Sequence, residues 1–320
     1  MEKHLLVLIV LIISSFIYLK LAVRFNIIDK PNKRSSHTNP TIRGGGILFV
    51  IAIILFFLLN NFQYPYFFLG VIAISIISFL DDIYTLSSKI RFPFQFIAVY
   101  LVLLQVGLPF APIYQFGIYL IIGIAIINMF NFMDGINGIT GIYSLAVLSG
   151  LFFINNNEHL VNEDLIIFSI ISILVFGFYN FKKKAIFFAG DIGSISIGML
   201  IFFIGFLFAI KLSSPLILLL VIVYGADSGC TLLYRKLFTD ESIFDPHRHH
   251  IYQKIVDVYK MPHLKVSIGY AFVQVLINCV IYFTYRLELQ VQFILFFVLI
   301  SFFIFCYVLL FNIIKNKNSF

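Results

Sequence analysis

Five aspartates in this sequence fall where long apolar runs end or begin. Asp81 and Asp82 close the run "VIAISIISFL", Asp134 follows "GIYLIIGIAIINMFNFM", Asp191 precedes "IGSISIGMLIFF", and Asp227 lies late in the run that starts at residue 214. An acidic side chain at mid-membrane costs about 2.5–3.5 kcal/mol on insertion scales, so acids beside apolar runs usually mark a functional cavity. Each acid alone could lie in interfacial water, but five of them together favour a site.

Two of these acidic motifs suit a divalent cation and a phosphate. Asp81 and Asp82 are adjacent, and like charges are retained side by side where a cation neutralises them. Mg²⁺ takes oxygen ligands and combines one or two carboxylates with substrate phosphates. In "FFAGDIGS", glycines flank Asp191 where a helix should begin, an arrangement that lets an anion approach backbone N–H groups. Asp191 and Ser194 could also simply cap that helix.

Amides accompany the third acidic motif, "NMFNFMDGING". Asn128, Asn131 and Asp134 recur at every third residue, and Gly135 follows directly. If the helix persists to this point, the three side chains lie on neighbouring turns, and Gly135 then breaks it. The spacing predicts the polar wall of a cleft.

Basic residues occupy two further segments. "PHRHH" carries His247, Arg248, His249 and His250 in the longest connection between apolar runs. This spacing matches no usual zinc site, whereas Arg and His donors suit a diphosphate; a solvated basic loop is the alternative. The segment 29–46 combines three glycines with basic side chains and suggests contact with an anion or a lipid headgroup; its basic side chains are Lys33, Arg34, His37 and Arg43.

The elements that must position these residues are membrane helices. The chain is 61% hydrophobic and 12% charged, about half the charge of an ordinary soluble domain. Continuous apolar runs predict about 11 transmembrane helices and exclude a β-barrel. These runs are 5–23, 44–59, 66–80, 93–108, 114–130, 139–154, 165–179, 193–210, 214–234, 266–285 and 291–312. We therefore expect an all-α, polytopic integral membrane protein formed by one domain over residues 1–320.

The basic residues also predict the orientation. With the N-terminus outside and alternating helices, all of the 22 Lys and Arg residues except Lys3, Lys211 and Arg286 fall on the cytoplasmic side. The positive-inside rule explains this distribution. Because membrane topology already accounts for the net charge of +7, we expect no nucleic-acid partner. The acidic motifs then lie on the cytoplasmic face, with cytoplasmic loops at 24–43, 81–92, 131–138, 180–192 and 235–265. Cys230, Cys279 and Cys306 lie in apolar runs without a metal-binding spacing.

Four motifs in this order carry a family resemblance: "DD", "NMFNFMDGINGI", "FFAGDIGS" and "PHRHH". The sequence resembles the polyprenyl-phosphate N-acetylhexosamine-1-phosphate transferases, the family that includes the phospho-MurNAc-pentapeptide translocase of peptidoglycan synthesis. The resemblance spans residues 29 to 255. "PHRHHIYQ" and the first connection look most like the branch that starts O-antigen and related surface polysaccharides. The peptidoglycan branch usually has three consecutive histidines, and Arg248 interrupts the set here.

The resemblance implies a reaction and a role for each motif. A sugar 1-phosphate would pass from a UDP-N-acetylhexosamine to undecaprenyl phosphate in the bacterial cytoplasmic membrane, releasing UMP, with Mg²⁺ or alternatively Mn²⁺ as cofactor. Asp191 would bind the metal, while Asp81 and Asp82 would position or deprotonate the lipid phosphate or share the metal environment. The implied substrate-binding residues are Asn128, Asn131, Asp134, Asn180, His247, Arg248, His249 and His250.

Other functions fit parts of the pattern. UDP-MurNAc-pentapeptide transfer is the alternative within the family, and a secondary transporter is the alternative from another class. Transporters place buried acids near the midplane and often repeat their two halves, whereas these acids cluster at one face. The sugar remains open between GlcNAc, FucNAc and QuiNAc, and a homodimer is compatible with this fold.

Overall fold

Twelve α-helices and one 3₁₀ helix make up most of the chain that the structure describes. The computed structural model describes residues 2–29, 31, 40–108, 112–240 and 247–318. The α-helices are α1 Glu2–Arg24, α2 Ile47–Leu59, α3 Pro65–Tyr84, α4 Ser88–Gln105, α5 Ile113–Met133, α6 Ile139–Glu158, α7 Glu163–Asn180, α8 Gly190–Lys211, α9 Ile222–Phe238, α10 Ile251–Tyr259, α11 His263–Thr284 and α12 Leu289–Asn318. The 3₁₀ helix, Pro215–Val221, leads directly into α9. The predicted all-α fold is confirmed.

Long apolar helices confirm the polytopic membrane class. Within the described ranges, nine helical segments are long and apolar enough to cross a membrane, the 3₁₀ helix and α9 counting as one segment, Pro215–Phe238. The helix α2 is apolar but shorter, with 13 residues. Every predicted apolar run lies within a helical segment except for at most three residues at its ends. The exact number of spans and their orientation stay predictions.

Helices extend further into the predicted cytoplasmic loops than the apolar runs indicate. The predicted loop 235–265 contains the end of α9, all of α10 and the start of α11. In the same way, α3 continues to Tyr84, α4 begins at Ser88, α5 ends at Met133 and α8 begins at Gly190. A helix can continue past the edge of the apolar layer with polar residues that hydropathy does not count. Because a cytoplasmic segment can itself be helical, the loop boundaries stay predictions.

A small sheet, absent from the prediction, closes the first connection. Strands β1, Ile28–Asp29, and β2, Thr41–Ile42, pair antiparallel, and Ile42 forms a parallel bridge with Phe187. The end of the first connection, at Ile42, thus lies against the segment that precedes α8. The predicted anion-binding residues Lys33, Arg34 and His37 lie outside the described residues.

The helix α8 forms the centre of the molecule. In an apolar stretch of 18 residues of α8, 89% of the residues are buried, whereas in the corresponding stretch of α12 only 11% are buried. The helices α2, α3, α5, α6 and the 3₁₀ helix all pack against α8. A helix that is apolar all round belongs in the interior, so α8 is held by neighbours on every side. Its first residues, Gly190 and Asp191, are therefore presented from a rigid element.

Candidate active site

Three carboxylates from two separate motifs meet at the start of α8. Arg43 reaches Asp82 with Nε at 2.6 Å and Asp191 with Nη2 at 3.0 Å. Arg91 reaches Asp81 and Asp191 with Nη1, at 2.7 and 3.1 Å respectively. We call these five residues the acidic cluster. The two arginines bridge the three carboxylates, which brings "DD", "GD" and the first connection to one place.

Asp82 also fixes the start of α8. Its Oδ1 accepts a hydrogen bond from the backbone N–H of Asp191 at 2.8 Å, and its Oδ2 accepts one from Ile192 at 3.1 Å. The first N–H groups of a helix lack partners within it, so a carboxylate from α3 caps α8. Gly190 has φ +71°, and a Cβ there would lie 2.5 Å from Asp82 Oδ2. Glycine is therefore required at this close approach.

The glycines of the first connection hold Arg43 in the acidic cluster. The N–H groups of Gly45 and Gly46 donate to the carbonyl oxygens of Phe188 and Ala189, at 2.8 and 2.9 Å. A Cβ at Gly46 would collide with the backbone of Gly193. Small residues on both sides thus let the first connection pack directly on α8. Of the basic residues predicted in this segment, the structure assigns a contact at the site to Arg43.

Asn131 and Asp134 lie beside the acidic cluster. Asn131 interacts with Asp191 and donates to Ser194 Oγ at 3.3 Å. Thr140 Oγ1 donates to Asp134 Oδ1 at 2.5 Å. Burial raises the pKa of Asp134 to about 7, against the opposing effect of the Thr140 hydrogen bond. The helix α5 ends at Met133, one residue earlier than the glycine break predicted.

Two other predicted substrate-binding amides are engaged inside the protein. Asn128 and Gln95 exchange hydrogen bonds of 3.0 and 3.1 Å between their amide groups. Asn180 accepts from the Gly138 N–H at 2.7 Å and donates to the Phe187 carbonyl oxygen at 3.0 Å. These contacts join α4 to α5 and hold the loop after α5 beside the segment that precedes α8. The structure thus gives both amides a role in holding neighbouring segments together.

The predicted basic loop lies at the start of α10. Arg248 forms two hydrogen bonds to Asp257, 3.0 Å from Nε and 2.7 Å from Nη2. His247 stacks with His249 and lies beside His250, with ring centroids 5.8 and 4.9 Å apart respectively. His247 and His249 are partly exposed, whereas His250 is buried.

Tyr252 connects this loop to the end of α5. Its hydroxyl donates to the Phe132 carbonyl oxygen at 3.2 Å, next to Asn131. The ring of Tyr252 is fully buried, and burial raises the pKa of its hydroxyl. The motifs "NMFNFMDGING" and "PHRHH" are therefore held side by side.

Sequence reasoning assigned no role at the site to Arg91, and it missed Gln95 and Asp257. Arg91 lies in the first turn of α4, directly after the aspartate pair, and a cation so close to two acids was a usable signal. The partnerships of Gln95 and Asp257 depend on helix packing and on the helical register of α10. Asp227, which the sequence grouped with the other acids, instead contacts His250 at 3.3 Å.

Comparison with known proteins shows which enzymes this chain is similar to. The family described as "Glycosyl transferase family 4" matches residues 64–210. A Yersinia pestis protein named undecaprenyl-phosphate alpha-N-acetylglucosaminyl 1-phosphate transferase is 28% identical over 268 residues, covering 75% of this chain and 72% of its own. The Thermotoga maritima protein of the same name is 24% identical over 314 residues, 86% of this chain and 94% of its own. A Bacillus subtilis protein, named as a probable undecaprenyl-phosphate N-acetylglucosaminyl 1-phosphate transferase, is 24% identical over 272 residues, with coverages of 77% and 74%.

The chain is a membrane-embedded glycosyl transferase. The resemblance predicted from its motifs is confirmed, and the transporter alternative is not supported. The family match includes the aspartate pair and Asp191, and it ends before the loop at His247. The transferase is a multi-pass protein of the bacterial cytoplasmic membrane.

The donor chemistry of the acidic cluster fits a hard divalent cation. Its carboxylate oxygens are ligands that Mg²⁺ prefers, and Mg²⁺ needs only one or two of them beside substrate phosphates. In the parts of the chain that the structure describes, no three His, Cys, Asp or Glu side chains are grouped to hold a metal. Both oxygens of Asp191 contact guanidinium groups. Asp191 is the carboxylate of the cluster that could hold such a cation together with substrate oxygens.

Proposed function

We propose that the transferase moves an N-acetylhexosamine 1-phosphate from a UDP-sugar to undecaprenyl phosphate, releases UMP, and starts a lipid-linked surface polysaccharide. The observation that carries this proposal is the acidic cluster, in which two arginines and three aspartates meet beside Asn131 at the end of a buried helix. The names of the relatives support the acceptor and the N-acetylglucosaminyl group.

The reaction joins two anions at one phosphorus atom. An oxygen of the acceptor phosphate attacks the phosphorus that carries the sugar, so one P–O bond forms. The P–O bond of the phosphoanhydride breaks, and UMP leaves with the electron pair. Because the second pKa of a phosphate monoester is about 6, the acceptor is already largely ionised near neutral pH. Positioning and charge neutralisation are then the main requirements.

The residues of the acidic cluster suit these requirements. Arg43 and Arg91 place two permanent positive charges beside the start of α8, and guanidinium groups bind phosphate oxygens with matched geometry. Asp191 would hold Mg²⁺ or Mn²⁺, which when bound screens the repulsion between the two phosphates. Asp82 is fully engaged by Arg43 and two backbone N–H groups, which favours a positioning role over a base. Asp81 contacts Arg91 and the Leu86 N–H.

The basic loop completes the proposed site. Partly exposed His247 and His249 would donate to the diphosphate or the sugar. Arg248, paired with Asp257, would act mainly by fixing the loop. The interrupted histidine run favours an O-antigen-like pathway over the MurNAc-pentapeptide substrate.

The test is a donor panel with purified protein. Protein in detergent is given undecaprenyl phosphate and Mg²⁺ with UDP-GlcNAc, UDP-FucNAc, UDP-QuiNAc or UDP-MurNAc-pentapeptide, and released UMP is measured. We expect release with an N-acetylhexosamine donor, dependent on the lipid and abolished by chelation. Release with UDP-MurNAc-pentapeptide alone would assign the enzyme to peptidoglycan synthesis, and no release with any donor would refute the proposal.

A further inference from the structure

Asp227 organises the start of α10 from within α9. Its Oδ1 accepts from the Ile251 N–H at 2.9 Å and contacts His250 Nδ1 at 3.3 Å, and its Oδ2 accepts from the Tyr252 N–H at 3.3 Å. The first N–H groups of a helix need external partners, and a negative charge is favourable there. Asp227 therefore caps α10 although it belongs to another helix.

The Asp227 carboxylate has further donors and is buried. Tyr270 donates to Oδ2 at 2.6 Å, and Thr231 donates to Oδ1 at 3.3 Å. Asp227 is 4% exposed. A buried carboxylate with five hydrogen-bond donors is fixed in place, and truncating such a group leaves several partners unsatisfied. This carboxylate is used inside the protein and belongs to no substrate contact.

His250 links Asp227 to the neighbouring His247. An ionised carboxylate only accepts hydrogen bonds, so Nδ1 of His250 carries the hydrogen in its contact with Asp227. His250 is 2% exposed, and its ring lies 4.9 Å from that of His247. Asp227 thus supports His250, which in turn packs against the partly exposed His247.

Contacts with α12 hold the other side of α10. Lys254 of α10 lies over the ring of Phe311 of α12, at 4.6 Å from its centroid. Reciprocally, Lys317 of α12 lies 4.1 Å from the centroid of Tyr259 of α10. The helix α10 is therefore held at its start by α9 and along its length by α12, which gives residues 247–250 directly before it a defined position.

We propose that Asp227 and His250 are positioning residues that fix the first turn of α10 and thereby direct His247 toward the substrate. This reassigns His250, which the sequence grouped with the substrate contacts. The inference rests on the proposed function in one respect, the contact of His247 with substrate.

A double-mutant cycle tests the coupling. We expect His247→Ala to lower kcat/KM for the UDP-sugar about 100-fold, comparable to the loss of one oriented donor, and Asp227→Asn to lower it about 10-fold. If Asp227 acts through His247, the double variant is no slower than His247→Ala, because coupled residues are not additive. A loss of about 1,000-fold in the double variant would mean independent, additive effects and would overturn the inference.

The chain offers a matched control at the other end of the bundle. Asp164 contacts His4 Nε2 at 2.9 Å, near the start of α7, whose other end carries Asn180. Asp164→Asn removes the charge from a comparable His–Asp contact away from the acidic cluster. We expect it to keep parental turnover.

A second measurement needs no substrate. Hydrogen exchange of residues 251–259 should be faster in Asp227→Asn than in the parent, while exchange within α8 stays unchanged. If Asp227→Asn does not fold, Tyr270→Phe removes one donor and keeps the carboxylate, and it should produce a smaller increase in the same segment. Unchanged exchange in the folded variant overturns the inference. Faster exchange in a protein that accepts no UDP-sugar would refute only the proposed function.

Discussion

Replacing Asp191 with Asn gives the sharpest test of the acidic cluster. With all carboxylates ionised, three negative charges face two arginines. The excess negative charge is what attracts a divalent cation, and Asp191→Asn removes it while keeping the size of the side chain. We expect the fold to survive and Mg²⁺-dependent turnover to collapse.

Two magnitudes are expected for Asp191→Asn: a small loss of stability and a large loss of turnover. After the replacement, Arg43 keeps Asp82 at 2.6 Å and Arg91 keeps Asp81 at 2.7 Å, so neither guanidinium is left unpaired. An amide has a single acceptor oxygen, so Asn keeps one of the two arginine contacts of Asp191, without its negative charge, and loses the other. We expect this to cost about 1–3 kcal/mol in the free energy of unfolding. Loss of about 3–4 kcal/mol of electrostatic stabilisation of the transition state lowers kcat about 10²–10³-fold.

The assay is UMP release over a Mg²⁺ titration, with thermal unfolding in detergent measured on the same samples. Higher Mg²⁺ should restore part of the activity, because a weakened site fills by mass action, whereas higher pH should not. Asp164→Asn serves as the control for removing a charge elsewhere. Near-parental turnover with unchanged Mg²⁺ dependence in Asp191→Asn would refute the assignment and move the metal to Asp81.

Three further predictions concern topology, packing and pH. A cysteine at position Asn156 should react with an impermeant thiol reagent in intact cells and one at Thr239 should not; the reverse pattern would invert the orientation. Gly135→Ala should lower the melting temperature, with a cost of about 1–3 kcal/mol, because a Cβ there collides with the Tyr252 hydroxyl, and a second change, Tyr252→Phe, should restore part of it. Since burial raises the pKa of Asp134 to about 7, the folded protein holds this proton where the unfolded chain loses it. Its contribution to stability is then largest below pH 4 and falls as the pH rises to about 7; melting temperatures of Asp134→Asn from pH 5 to 8 should show a smaller decrease than those of the parent.

The membrane fold was predictable because its signal is local. Apolar runs report directly which segments can cross a lipid layer, and each run lies within a helical segment except for at most three residues at its ends. Helix ends were less predictable, since α9 and α10 continue with polar residues. The sheet formed by Ile28–Asp29 and Thr41–Ile42 has only two residues in each strand, too short for an alternating pattern to appear.

The membership of the site was partly predictable, and its pairings were not. From the acids beside apolar runs, the sequence predicted that Asp191 and the aspartate pair lie at helix ends and could bind a metal ion and a phosphate. Whether Asn128 faces substrate or Gln95, however, depends on how α4 packs on α5. Similarly, Asp227 carries the same charge as Asp191 but contacts His250, because α9 presents it to α10. Such distinctions depend on tertiary packing, which spacing within one helix does not determine.

The adjacent aspartates show how the structure separates two residues that the sequence left equivalent. Successive helical positions point about 100° apart, so the side chains of Asp81 and Asp82 meet different neighbours. Asp82 turns inward, where its side chain is fully buried and caps α8. Asp81 turns toward Arg91, which it shares with Asp191. Since Asp82 holds the backbone of the residue that would bind the metal, its loss would displace Asp191, whereas loss of Asp81 would change the charge around Asp191 and leave the start of α8 in place.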